Sequence, residues 1–425
     1  MTISWRQKVR ELEAENVFLR EKVEELEKRL LAYENAHTPP SLSRKKREKK
    51  KPSGKLGAPE GHPKYDRPEP EPTGSVEYIE DVCPNCESKL GSPFKTERVV
   101  EEEIPEPQPV EVIEHLINHY ECPECHKHII AKNKAPKGRF GNNVLAHVTL
   151  LKYDDRLPLR KVVNSLERHY GLTLTNVSVL QLTQKVANKL RLSYAKIIQH
   201  VKNSRVVYAD ETKIKVDGKT YWLWTFVTEQ ETLFVIRKSR SKKVVEEILG
   251  TNFKGIICCD GWTAYSQYTK NIQRCWAHIL REAKNLAENY TSFEGFNTAF
   301  KKIFNKIKDI RNKPPSLKKR ENIVIKLRTE MEQLIQQMSA YKEFKTFTTK
   351  VKNGINYWFT CLIKLFVEPT NNTAEQALRE LVVQRKIIGG LRREKGARIM
   401  ETIMTMITTW KQQNKPVFTT LKSHL

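Results

Sequence analysis

Apolar residues recur every seven positions near the start of the chain. Val9, Asn16, Val23 and Leu30 take heptad position a, and Trp5, Leu12, Leu19, Leu26 and Tyr33 take position d. An unbroken seam of this period predicts a coiled coil over residues 5–34. In a parallel dimer each g residue meets the partner's e residue five positions on. The pairs so formed are Lys8 with Glu13, Glu15 with Arg20, Lys22 with Glu27, and Arg29 with Glu34, all opposite in sign. A helix packed on its own domain explains the seam but not these four matches. Asn16, the one polar a residue, suits a two-stranded parallel register. Residues 1–36 therefore read as a dimerisation segment, making the chain a homodimer or larger assembly.

The period then stops. Residues 37–75, rich in Pro, Gly and charge, read as a disordered linker. Alternation at Val110, Val112 and Ile117 to Tyr120 predicts short strands within residues 76–132. From residue 133 to 202 the pattern is helical. Leu159, Val162, Val163, Leu166 and Tyr170 form one stripe, Gly171 to Thr175 a turn, and Val177, Leu180, Leu182, Val186 and Leu190 a second stripe. This is the outline of a helix-turn-helix, shared with plain helical bundles.

Strand patterns follow. Arg205 to Ala209 runs into Asp210; Thr212 to Val216 and Tyr221 to Thr228 flank an Asp217-Gly218 turn; Thr232 to Arg237 completes a meander. A helix over Lys242 to Leu249 precedes a strand over Gly255 to Cys259, which runs into Asp260. Two strands ending in aspartate, in β-β-β-α-β order, match the start of a ribonuclease H-like fold. Charged amphipathic helices around Pro314-Pro315 suggest a helical insertion at about residues 283–360. Asn371 to Glu375 opens a later helix through Leu378, Leu381 and Val382, with Asn372 or Thr373 as its cap. The expected architecture is multidomain α+β: coiled coil, zinc ribbon, helix-turn-helix region, a ribonuclease H-like α/β catalytic domain over residues 203–395, and a helical tail over residues 396–425.

Charge narrows the partner. Among 425 residues, 75 Lys and Arg against 50 Asp and Glu give a net charge of +25, which favours a polyanion such as nucleic acid. No stretch of about eighteen apolar residues suggests a membrane span, and no apolar signal core follows Met1. A cytoplasmic, nucleoid-associated protein is expected. Within the linker Arg44, Lys45, Lys46, Arg47, Lys49, Lys50 and Lys51 form a basic run suited to DNA phosphates.

The chemistry lies in two constellations. Cys83-Pro84-Asn85-Cys86 and Cys122-Pro123-Glu124-Cys125 are paired CxxC knuckles, and four thiolates delivered this way suit one structural zinc in residues 76–132. His126 and His128 read as surface residues, and Cys258, Cys259, Cys275 and Cys361 as buried small hydrophobes. Asp210, Asp260 and Glu375 supply three carboxylates from separated elements. Hard cations prefer such oxygen ligands, and two magnesium or manganese ions roughly 3.5 to 4 Å apart drive in-line phosphoryl displacement. Glu211 is the rival of Asp210, but strand alternation turns the two to opposite faces.

Tyr208-Ala209-Asp210-Glu211-Thr212, Cys259-Asp260-Gly261-Trp262, Cys275-Trp276-Ala277-His278 and Asn371-Asn372-Thr373-Ala374-Glu375, followed by Arg379 and Arg385-Lys386, resemble the landmarks of the bacterial insertion-sequence transposases of family sixty-six. The resemblance extends to Lys152 to Leu159 and to both knuckles. It implies a DDE transposase with Asp210, Asp260 and Glu375 as triad, a helical insertion before the final Glu, and action at terminal inverted repeats and a target DNA, accessory proteins of the element being further partners. His278, Asn372, Arg379 and Lys386 are candidates to contact the scissile phosphate or orient ligands. Two other readings are a DNA-binding regulator descended from a transposase, which would lack a carboxylate, and a structure-specific nuclease, which would not need all three N-terminal modules.

Overall fold

The computed structural model describes residues 12–13, 15–23, 68–131 and 138–425. The basic run at Arg44 to Lys51 and most of the predicted heptads lie outside these residues. Residues 68–108 belong to one compact unit and the other described residues to a second. In the first, a bridge between Val82 and Lys89 closes the turn that carries Cys83 and Cys86.

The second unit begins with helix α1 (residues 15–23), on which Leu19 and Val23 stand exposed. Strands β1 (His119–Glu121) and β2 (His128–Ile130) pair antiparallel around Cys122 and Cys125, so this knuckle is the loop of a hairpin. Val110 and Val112, expected to alternate in a strand, form none. Pro105, Pro107 and Pro109 remove donors from that stretch, and Val110 donates its N–H to Tyr170 instead.

Three helices follow: α2 (Asn142–Tyr153), α3 (Leu159–Tyr170) and α4 (Asn176–Lys202). Gly171 ends α3 at φ 59°, and the Thr175 hydroxyl accepts the N–H of Ser178 to cap α4. The buried stripe of α4 is Val179, Leu182, Val186, Leu190, Ile197 and Val201. Val177 and Leu180, expected in it, are exposed; the stripe is set by the helices α4 packs against and falls out of phase with its first apolar residues.

The sheet comes next. Strands β3 (Val206–Val216), β4 (Lys219–Val227) and β5 (Thr232–Arg237) form an antiparallel meander. Asp217 and Gly218, at φ 52° and 68°, make the tight turn between the first two, as their residue types demand. Helix α5 (Lys242–Leu249) leads to β6 (Ile256–Cys259), α6 (Thr263–Tyr268) and β7 (Ile272–Arg274). The order is β5-β4-β3-β6-β7, with β3, β6 and β7 parallel.

Beyond β7, α7 (Trp276–Asn289), α8 (Glu294–Asn312), α9 (Leu317–Met338), α10 (Lys345–Asn353) and α11 (Thr360–Ile363) enclose their own apolar core, where Phe293, Phe300, Phe344 and Phe347 meet edge to face. The chain returns through α12 (Asn372–Ile388), α13 (Glu394–Gln412) and α14 (Val417–Ser423). Helix α13 does more than trail from the sheet. Glu401, Thr405 and Thr409 accept the backbone N–H groups of Ile236, Phe234 and Thr232 at 2.7, 2.9 and 3.1 Å. Four helical residues rise about 6 Å and two strand residues about 6.6 Å, so the periods match. The outer edge of β5 is thereby covered.

Candidate active site

Asp210 sits in mid-strand on β3, not at its end, and Asp260 follows the last residue of β6. The parallel register pairs Tyr208 with Cys258, so two residues further on Asp210 and Asp260 stand side by side. Adjacent strands lie about 4.8 Å apart, which brings two carboxylates into mutual repulsion. Burial, then the charges of Glu211, Asp260 and Glu375, hold the Asp210 carboxyl well above the usual range. Its Oδ1 accepts the N–H of Glu211 at 2.9 Å, and Asp260 Oδ1 accepts that of Trp262 at 2.7 Å.

Glu375 lies in the first turn of α12, and its charge acts on Asp210 more weakly than those of Glu211 and Asp260. It is turned toward α7, where His278 Nδ1 and Arg281 Nη2 each stand 3.5 Å from its carboxylate oxygens. Cys275, His278 and Glu375 present ligand atoms that all lie within 4.8 Å of one another. Burial pushes the Cys275 thiol up to about 11, and its sulfur accepts the N–H of Asn371 at 3.0 Å. Glu375 Oε1 is buried and accepts no hydrogen bond. Asp210 and Asp260 bring two carboxylates into mutual influence, and Glu375 Oε1, buried without a hydrogen bond, stands 3.5 Å from His278 Nδ1; oxygen donors of this kind suit hard divalent cations.

The helix start differs from expectation. Asn371 precedes α12, and no side chain caps it, neither Asn372 nor Thr373. Asn371 instead donates its amide to Ala209 O at 2.8 Å, binding the helix to β3. The approach loop is equally tied: Trp276 donates to Pro369 O, Glu368 N–H to the Tyr208 hydroxyl, and the Cys258 thiol to Thr370 O. Of the remaining candidates, Asn372, Arg379 and Lys386 are exposed, and it is Arg385 that reaches β3, at Thr212 Oγ1 and Lys213 O.

The neighbouring Glu211 is held by partners of its own. Its buried carboxylate accepts from Arg240 Nε at 2.8 Å and from the Tyr265 hydroxyl at 2.5 Å, while Arg240 lies between the Trp222 and Trp262 rings. Burial and then Asp260 raise its pKa to about 7 against the opposing pull of Tyr265 and Arg240. Arg281, Arg240 and Asn371 were not singled out from sequence. Arg281 had one signal: it lies three residues after His278, on the same helical face.

The two CxxC turns have the same local geometry. Glu87 N–H bonds to Cys83 O and His126 N–H to Cys122 O, and Glu87 and His126 both adopt positive φ, 64° and 55°. The Ser88 hydroxyl lowers the pKa of the Cys86 thiol, and the backbone N–H groups of Cys125 and Glu124 lower that of Cys122. Groups that favour the thiolate favour metal ligation. The other four cysteines are buried. His126 and His128 are exposed; His126 meets Glu121 at 3.3 Å and His128 meets His119 at 3.0 Å.

An uncharacterized protein of Sinorhizobium fredii is 23% identical over 309 residues, 63% of this chain and 56% of that protein; the chain thus spans about half the length of this curated relative. Among the described residues no helix is long and apolar enough to cross a membrane. Residues 137–399, which hold Asp210, Asp260, Glu375 and the CxxH segment at Cys275, match the Transposase IS66 family, and the chain belongs to it.

Proposed function

We propose that this protein is a DDE-type transposase that binds the terminal inverted repeats of its insertion sequence and catalyses metal-dependent strand cleavage and strand transfer. The observation that carries this reading is the β3–β6 register, which sets Asp210 beside Asp260 while Asn371 ties the helix of Glu375 to the same strand. The strand order, an antiparallel meander followed by two parallel strands, supports a ribonuclease H-like catalytic domain. Asp210, Asp260 and Glu375 are the ligands for Mg²⁺ or Mn²⁺. Two such ions, when bound, activate the attacking oxygen and stabilise the leaving one. His278 and Arg281 hold the Glu375 carboxylate in place, and Glu211, anchored by Arg240 and Tyr265, keeps the face behind Asp210 rigid.

The N-terminal modules supply assembly and DNA contact. Residues 5–34 pair two chains, the run from Arg44 to Lys51 contacts phosphates, Cys83, Cys86, Cys122 and Cys125 hold zinc, and α3 with α4 binds DNA as a helix-turn-helix. A regulator descended from a transposase has no need to keep all three carboxylates. The test is incubation of the full chain with labelled terminal repeats in magnesium or manganese. Cleaved and joined products that vanish with chelator are expected; DNA binding without any product under either metal would refute the reading.

A further inference from the structure

Two cavities line the seam between the sheet and the helical core of α7 to α11. The smaller, about 460 Å³, begins beside Asp260, at Gly261 and Thr263, and includes Arg274 and Lys350. The larger, about 650 Å³, lies at the opening residues of β3, β6 and β7 and is walled by α9 and the segment after α10. Lys270 lines both. The larger cavity adds Arg205, Lys254, Arg328 and Lys364, and among the described residues no carboxylate lines either one.

We propose that this seam is a track for a DNA backbone, running from Asp260 past Lys270 into the cleft of Arg205, Lys254, Arg328 and Lys364. Several cations converging without a counter-charge attract a polyanion, and a phosphodiester chain uses successive cations where one small ion would use two or three. Arg328 Nε is buried with no acceptor. The Arg205 guanidinium lies 4.2 Å over the Phe366 ring, a stacked arrangement that leaves its N–H edges for a phosphate. Lys350 contributes less, since its ammonium already pairs with Glu282 at 2.5 Å. Five strand steps from Gly255 to Asp260 span roughly 17 Å. At 3.4 Å per base pair, the cleft holds DNA about five base pairs from the reacting phosphate. The helical core is then a DNA-holding jaw. The inference rests on the catalytic reading only for the point where the track begins.

The test uses the full chain. Lys254, Lys270 and Lys364 have exposed side chains, so Lys254→Gln/Lys270→Gln/Lys364→Gln is compared with Lys301→Gln/Lys302→Gln/Lys326→Gln, three exposed lysines elsewhere on the helical core. Duplex affinity is measured against salt. Each lost phosphate contact lowers the log–log slope by about 0.9, so the seam variant should lose two to three and the control none. In wild type, bound duplex should protect Lys254, Lys270 and Lys364 from acetylation but not the control lysines, a readout that needs no variant. An unchanged slope, or equal loss in the control, overturns the proposal. So does saturable binding of tripolyphosphate that the seam variant abolishes while duplex binding stays intact, which would mark a small-phosphate pocket. A chain that binds with the expected slope yet cuts no DNA keeps the track and refutes the catalytic reading; normal cutting with an unchanged slope does the reverse.

Discussion

The side-chain amide of Asn371 donates to the backbone carbonyl of Ala209 at 2.8 Å, and this bond joins the helix that bears Glu375 to the strand that bears Asp210. Two residues 162 apart in sequence are thus joined between the elements that bear these two carboxylates.

Asn371→Ala should leave the Ala209 carbonyl buried and unsatisfied, at a cost of about 1–3 kcal/mol. The chain should still fold, with end cleavage falling further than end binding. Thermal melts and single-turnover assays give the comparison. Lowered stability with undiminished cleavage would show that the tie serves packing alone.

Asp210→Asn, Asp260→Asn and Glu375→Gln remove a charge while nearly preserving shape. Each should retain DNA binding and lose cleavage by on the order of a thousandfold or more, since a misplaced ion forfeits several kcal/mol of transition-state stabilisation. Near-normal cleavage by any variant removes that residue from the site, with Glu368 the next to test in place of Glu375.

Without metal, the Asp210 carboxyl makes stability depend on pH. Its pKa is raised above the unfolded value of 3.8, so the folded chain binds the proton more tightly. That contribution is complete below 3.8 and is lost as pH rises through the folded-state pKa. In chelator, Asp210→Asn should therefore melt above wild type at pH 8, and the gap should close on acidification. A variant that melts below wild type at pH 8 contradicts the burial and the neighbouring charges that raise this pKa.

Zinc should be present at about one ion per chain in the purified protein. Cys83→Ser or Cys122→Ser should release it. Full zinc content in both variants would exclude a shared four-thiolate site.

Leu12 and Leu19 are exposed on the described part of the N-terminal helix. Leu12→Lys/Leu19→Lys places charge on the predicted seam and should shift sedimentation from dimer toward monomer at micromolar concentration. An unchanged dimer would locate the interface elsewhere.

Much of the sheet and its first helix was legible because local rules govern them. Asp217-Gly218 dictates a hairpin, the apolar run within Thr232 to Arg237 gives the strand with those bounds, and Lys242 to Leu249 the helix. The phase of α4 was not legible, because the helices around it decide which side of an amphipathic helix is covered. Likewise the sequence suggested Asn372 or Thr373 as a cap, and only the nearness of Ala209 makes the preceding Asn371 a tie.

By itself the sequence marked the candidates for chemistry: three carboxylates, two CxxC knuckles, the CxxH segment and a charge of +25. Residue type and local context suffice for that, since each carboxylate, knuckle and CxxH segment is recognised from the few residues around it. Tertiary structure alone decided that Asp260 stands beside Asp210, that Glu375 faces His278 and Arg281, and that Glu401, Thr405 and Thr409 cover the edge of β5. It also gathered Arg205, Lys254, Lys270, Arg328 and Lys364 around one cleft. These relationships join residues far apart along the chain. Strand order and helix packing bring them together, and no local pattern records either.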